Sequence, residues 1–308
     1  MEPTTIFPVR EHIPFLQAAT DIIPIDKGYS SDKKYKVIVN NEPYLLKTFA
    51  SSHLQAKRNE YDILQKMTEI GVKCSRPVEL GHVPDMGFGY QVLTYLEGED
   101  AADQLPLYSE EEQYRIGLEA GQLLLAMHQY EAPPSIAPWE DRKLRKHRRY
   151  MERYPMCGAK VTQEERVIAF IERHLPLMKG RPNLFQHDDF HVGNLIVRDG
   201  SLTGVIDFNR MDWGDPVHEF LKAGMFSAEV SVPFSIGQIR GYHQGRDPDE
   251  QFWMLYSLYL AMSTISSAVW ISEVKPEETD MMMAKVDRML DDHHGFERIR
   301  PDWYQQQM

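Results

Sequence analysis

The chain has 308 residues, 46 acidic against 34 basic side chains, a formal net charge of −12 and only two cysteines. That length predicts two domains or lobes, and the acidic balance argues against a general nucleic-acid binder. Cys74 and Cys157 belong to no CxxC pattern, which argues against a zinc knuckle or a disulfide framework.

The N-terminal MEPTTIFPVREHIPF lacks a basic stretch followed by an apolar one, so a cytoplasmic protein is expected. TDIIPI and KYKVIV flank the turn-rich DKGYSSDK, and YLLKTF follows Asn40-Asn41-Glu42-Pro43, a pattern of three strands with hairpin punctuation. Ser52 to Ile70 places Leu54, Tyr61, Leu64 and Met67 on one helical face, and Gly71 ends it. VELGHVP and GFGYQVLTYL predict two more strands. The break at Glu97-Gly98-Glu99-Asp100 divides the chain into residues 1–96 and 97–308.

Beyond that break the pattern turns helical. EEQYRIGLEAGQLLLAMHQY and TQEERVIAFIERHL are amphipathic, and DRKLRKHRRYMER, rich in Lys and Arg, reads as a solvated helix face rather than a nucleic-acid site. A strand-rich island interrupts the helices: FQHDDFHVGN leads into NLIV, a turn at Arg198–Ser201, and LTGVIDF, a predicted hairpin. Phe252 to Ile271 carries no charge and is long enough to span a bilayer, but its five Ser and Thr residues point to a buried core helix. No membrane partner is expected.

Gly28 in a hairpin turn, Lys47 within an apolar strand, Glu60 in the next helix, Asp189 and Asn194 five apart, and Asp207 thirteen further on are parts that magnesium-nucleotide chemistry needs. A turn can bring N–H groups to phosphate, with Ser30 and Ser31 as further donors. A fixed lysine pairs with phosphate oxygens, a carboxylate holds that lysine, and hard oxygens hold Mg²⁺. Each has a plainer reading. Lys47 suits an exposed edge strand, Gly28 an ordinary turn, and His187, Asp188 and His191 a metal-dependent phosphohydrolase, although such a site needs ligands from several helices.

In combination these motifs resemble the aminoglycoside phosphotransferases and their relatives of the protein-kinase-like fold, over roughly Asp21 to Phe220. HDDFHVGN matches the family's H-G-D-x-x-x-x-N at His187, Asp189 and Asn194, and IDFNRMDWGDPVHEF carries Asp207, Arg210 and Asp215 of its metal-binding turn. The resemblance implies an α+β, two-lobed kinase-like fold with an antiparallel sheet lobe and a mainly helical lobe. It makes Asp189 the catalytic base with Arg210 beside it, Asn194 and Asp207 the magnesium ligands, and Lys47 the phosphate-binding lysine held by Glu60. Adenine would pair with the backbone at Thr94, Tyr95 and Leu96, while His187 and Asp215 would support the loop. Two family glycines are replaced, by Asp188 and by Asn209, and Asn209 is expected to keep a positive φ.

The activity so implied is transfer of the γ-phosphoryl group of ATP or GTP to a small-molecule hydroxyl with Mg²⁺. An aminoglycoside leads among acceptors that include choline, homoserine, sugars and macrolides. Asp212, Glu219 and Glu273 are candidate contacts for a polycationic acceptor. A nucleotide-binding module with little catalysis is the rival reading.

Overall fold

Alternation of inward apolar and outward charged residues builds the N-terminal sheet. In strand β2 (Lys33–Val39), Tyr35, Val37 and Val39 are buried between half-exposed Lys34, Lys36 and Ile38, the period of two that a one-faced strand requires. The computed structural model describes residues 10–26 and 31–305; Gly28 and Ser30 lie outside the described residues. β2 pairs with β1 (Ala19–Ile25) on one side and β3 (Glu42–Ala50) on the other, and β5 (Phe88–Thr94) and β4 (Pro77–Val83) complete an antiparallel sheet of order β1-β2-β3-β5-β4. The β2–β3 connection is Asn40-Asn41, both at positive φ (52° and 64°), the conformation of a tight two-residue hairpin. Val37, Leu46 and Val92 from three strands meet Ile13 and Leu16 in the core of this sheet.

Helix α1 (Leu54–Glu69) follows β3. It buries Lys57, Glu60, Ile63, Leu64 and Met67, so the face expected from Leu54 and Tyr61 is rotated, because two charged residues occupy the inner stripe.

The chain forms two compact units. The first runs to Gly98 and recruits Thr203–Asn209; the second comprises Glu99–Leu202 and the chain from Arg210 onward. The recruited segment is fixed within the first unit by Val205 N–H, which donates to the Lys73 carbonyl at 2.9 Å, and by a bridge between Cys74 and Val205. Such long-range pairing leaves no local mark in sequence, so the boundary expected from the break near Leu96 includes no returning segment.

In the second unit α2 (Glu110–Met127) opens with a capping box in which Ser109 and Glu112 satisfy each other's backbone N–H groups. The helices α3 (Trp139–Arg153) and α4 (Glu164–His174) precede β7 (Leu184–Gln186), and the short helix α5 (Pro216–Glu219) follows β10 (Asp212–Gly214), the antiparallel partner of β7. A small three-stranded sheet is formed by β6 (Glu99–Asp100), β8 (Leu195–Arg198) and β9 (Ser201–Val205), with Asp199 and Gly200 at positive φ in the β8–β9 turn. Helix α6 (Val232–Tyr242) crosses α2 backbone to backbone: a Cβ on Gly121 would lie 2.1 Å from the Gln238 carbonyl oxygen, and one on Gly237 2.3 Å from that of Tyr114. Helix α7 (Glu250–Val274) is the uncharged segment. Its apolar window is 78% buried inside the protein, with Trp253, Tyr256 and Tyr259 among the largest enclosed side chains, as a core helix requires. Helix α8 (Thr279–Asp292) packs beside it. An antiparallel sheet unit and a mainly helical unit make the fold α+β.

Candidate active site

In the first unit, β3 lies between β2 and β5, so Lys47 is an interior-strand lysine and not an edge one. Its side chain is buried, and Nζ donates to Glu60 Oε1 at 2.9 Å. The other oxygen of Glu60 accepts from Lys57 at 2.9 Å, and Lys57 also reaches Asp32 at 2.6 Å. Burial acts to raise the Glu60 carboxyl, but Lys47 and Lys57 outweigh it and hold the group below its ordinary value. Two cations and two carboxylates thus fix the lysine ammonium, which retains unused donor capacity. Lys57 and Asp32 escaped the sequence reading, although Lys57 stands one helical turn before Glu60.

Of the three backbone positions expected to meet a nucleotide base, Thr94 donates its N–H to the Arg76 carbonyl at 2.9 Å and Tyr95 donates to Pro43 at 3.3 Å. Leu96 N–H makes no hydrogen bond among the described residues. Of the three, Leu96 alone keeps an N–H that pairing within the described residues has not used.

In the second unit the polar loop leaves β7 and turns sharply at Asp188, whose φ is +60°. Glycine adopts that conformation freely and Asp tolerates it, which explains why a carboxylate fits a glycine position. Glu219, only 1% exposed, accepts the Asp188 N–H at 3.1 Å and the Phe190 N–H at 3.2 Å and so grips the turn. Burial pushes the Glu219 carboxyl up to about 8, with Asp188 adding to the shift. Glu219 ends α5, and Asp215 starts it by accepting Val217 N–H at 3.1 Å. Asp215 is itself held by Arg181 at 2.7 and 2.9 Å and by the Tyr259 hydroxyl at 2.7 Å.

Asp189 stands at the centre of this frame. Lys222 Nζ donates to its Oδ1 at 2.9 Å, and the Asn194 amide donates to its backbone carbonyl at 2.8 Å and to its Oδ2 at 3.2 Å. His191 and Arg210 stand at 3.6 and 3.9 Å. Burial would raise this carboxyl, but His191 and Lys222 hold it far below the carboxylate range, so it is ionised.

Each unit offers an oxygen of the kind Mg²⁺ takes: in the second, the Asn194 NH₂ is engaged by Asp189, which leaves its Oδ1 as a hard oxygen, and in the first, Asp207 carries a carboxylate. Asp207 itself adopts φ +68°, whereas Asn209 sits in the 3₁₀ turn Phe208–Arg210 without positive φ. The expectation for Asn209 is thus corrected: the left-handed residue of this turn is the carboxylate.

His187, Asp188 and His191 do not gather as metal ligands. His187 meets Phe190 edge-on, His191 packs on Phe226, and Asp188 faces His218 at 3.7 Å. Nor do the three acids proposed for a polycation line one cleft. Glu219 is the internal brace, Asp212 pairs with Arg142 at 2.8 Å, and Glu273 pairs with Arg153.

The profile described as "Phosphotransferase enzyme family" matches residues 21–253. The chain belongs to this family. It is a small-molecule phosphotransferase. No curated protein matches it by sequence. Among solved structures it is similar to ADP-bound aminoglycoside phosphotransferase APH(2'')-Ib, at 18% identity and TM-score 0.64, covering 97% of this chain and 99% of that one. The gentamicin complex of APH(2'')-IIa aligns at 18% identity and TM-score 0.63, over 96% and 99% of the two chains. A thermostable mutant of APH(4)-Ia, in ternary complex with ADP and hygromycin B, aligns at 13% identity and TM-score 0.64, over 89% and 94%.

Several residues of the phosphotransferase site were invisible as motifs. Lys222 lies one turn beyond Glu219, a spacing that places both near the same loop. Helix α3, read from sequence as a solvated face, turns Trp139, Lys143 and His147 inward. Lys143 Nζ lies 2.7 Å from His218 Nε2, and Trp139 Nε1 donates to Tyr259 at 3.0 Å. The signal that could have revealed this is the spacing of four between Trp139 and Lys143 and again between Lys143 and His147.

Proposed function

We propose that the protein is a kinase that moves the γ-phosphoryl group of ATP or GTP to a hydroxyl of a small molecule. The observation that carries the reading is Asp189, an ionised carboxylate anchored on three sides by Lys222, Asn194 and its own braced turn. Asp189 orients the acceptor hydroxyl and receives its proton as the acceptor oxygen bonds to the γ-phosphorus. The bond from that phosphorus to the β,γ-bridging oxygen breaks, and the nucleoside diphosphate leaves. Lys47, fixed by Glu60, pairs with phosphate oxygens. Mg²⁺, when held by Asn194 Oδ1 and Asp207, neutralises phosphate charge. Arg210, close to Asp189 and exposed, supplies further positive charge on the acceptor side.

An aminoglycoside is the acceptor suggested by gentamicin and hygromycin B in the neighbouring structures. The neutralised acids Asp212, Glu219 and Glu273 favour a second reading, another small alcohol. Nucleotide consumption should depend on Mg²⁺ and rise when a true acceptor is added from a panel of aminoglycosides and other alcohols. Tight Mg-nucleotide binding with no turnover under any acceptor would instead assign a binding module.

A further inference from the structure

We propose that the acceptor is an alcohol bearing an oxyanion, a phosphate ester or a carboxylate, bound by Lys143 and Lys146 beside Asp188 and Asp189. This rests on the kinase reading above and names the substrate class of that site.

The two lysines stand three apart on α3 and so share a face. Neither makes a salt bridge among the described residues, whereas most charges of this region are matched: Lys222 with Asp189, and Arg142 with Asp212. Lys143 is packed over the rings of Trp139 and Tyr259, at 5.5 and 5.8 Å, and its one hydrogen-bond partner among the described residues is His218, which is no counterion. Burial, with Lys146 adding to it, pushes the Lys143 ammonium down to about 7 and outweighs the pull of Asp188 and Asp212, neither of which forms an ion pair with it.

A second observation points the same way. His218 is 6% exposed, and its Nδ1 has no hydrogen-bond partner while lying 3.7 Å from Asp188 Oδ1. Burial raises the Asp188 carboxyl even though Lys222, Lys146 and Lys143 all act to lower it, with Asp212 adding to the rise. Glu219 adds little negative charge at neutral pH, because its carboxyl is buried and stays largely protonated. On a chain of net charge −12, Asp188, Asp189 and Asp212 stand here against four cations, Lys143, Lys146, Lys222 and Arg142. A polycation would be repelled by them, whereas an oxyanion would give Lys143 and Lys146 the charge-assisted partners they lack.

Matched acceptors test this. One sugar is offered as its phosphate ester, its carboxylate, the unmodified alcohol and the amino sugar, with MgATP and MgGTP, and nucleotide consumption is read above acceptor-free hydrolysis. The phosphate or carboxylate form should show the highest kcat/KM. Lys146→Ala, at an exposed position, should raise the KM of that acceptor about tenfold with a smaller change in kcat. Preference for the amino or neutral sugar, unaffected by Lys146→Ala, overturns the oxyanion proposal and leaves the kinase reading standing. Absence of Mg²⁺-dependent nucleotide consumption in every arm, the acceptor-free one included, overturns the kinase reading. Binding decides the proposal independently of turnover. Inorganic phosphate is titrated into protein saturated with a non-hydrolysable nucleotide and followed by tryptophan fluorescence, to which Trp139 contributes. A saturable change weakened in Lys146→Ala and Lys143→Met supports the site; no saturable change overturns it.

Discussion

Asp189 is held by more partners than a surface carboxylate needs, and that excess separates its geometry from its charge. Asp189→Asn keeps the volume and the backbone contacts but cannot accept a proton. Phosphoryl transfer should fall about 10²–10⁴-fold while Mg-nucleotide affinity stays near that of the wild type. Single-turnover transfer at the wild-type rate would remove Asp189 from the proton path. Glu60 is the corresponding single point of failure in the first unit, since both of its oxygens carry buried lysines. Among the described residues, Glu60→Gln leaves Lys47 without a carboxylate partner and Lys57 with Asp32 alone, and should cost about 3–5 kcal/mol of stability and loosen Lys47. Urea unfolding, together with nucleotide titration, measures both effects; an unchanged midpoint would contradict the buried cluster.

Among the elements, α5 does much with one helical turn. Asp215 starts it, Glu219 ends it, and the two ends tie Arg181 and Tyr259 to the turn at Asp188. The α2–α6 crossing depends on the absence of side chains at its glycines. At Gly121 an added Cβ would sit 2.1 Å from the Gln238 carbonyl oxygen and 2.5 Å from Tyr242 N, both backbone atoms that cannot rotate away. Gly121→Ala should therefore destabilise by about 1–3 kcal/mol despite the better helix propensity of alanine. A thermal melt that rises in this variant would show that the helices separate without cost.

At the scale of the whole molecule, buried histidines set the response to acid. Burial pushes His128 down to about 3 and His147 and His293 down to about 4, and holds His218 well below its ordinary value. Their folded-state values lie below the unfolded value near 6.5, so the neutral form stabilises the fold. That contribution is complete above about pH 6.5 and is lost as pH falls toward the folded values, at up to about 1.4 kcal/mol per pH unit for each group. Glu219 opposes them: its raised value gives a contribution that is complete below its ordinary 4.5 and lost as pH rises through about 8. Four histidines outweigh one carboxyl, so stability should be lower at pH 5.5 than at pH 7.5. Equal denaturation midpoints at the two pH values would contradict this.

Alternation in KYKVIV, the Asn40-Asn41 turn, the helical run before Gly71 and the uncharged Phe252–Ile271 segment are local patterns, and local sterics and burial read them directly into strands, hairpin and helices. The spacing of Asp189, Asn194 and Asp207 is likewise written along the chain, and with it the family. Tertiary structure decided what depends on residues far apart: that α1 turns Lys57 and Glu60 inward, that Thr203–Asn209 joins the first unit through Lys73 and Cys74, and that Glu219 braces a loop instead of facing solvent. It also brought Lys143 of α3 to His218, 75 residues away, and Lys222 to Asp189. A carboxylate or a lysine looks the same in sequence whether solvated or enclosed; only the packing around it fixes its partners, its charge and the chemistry it can serve.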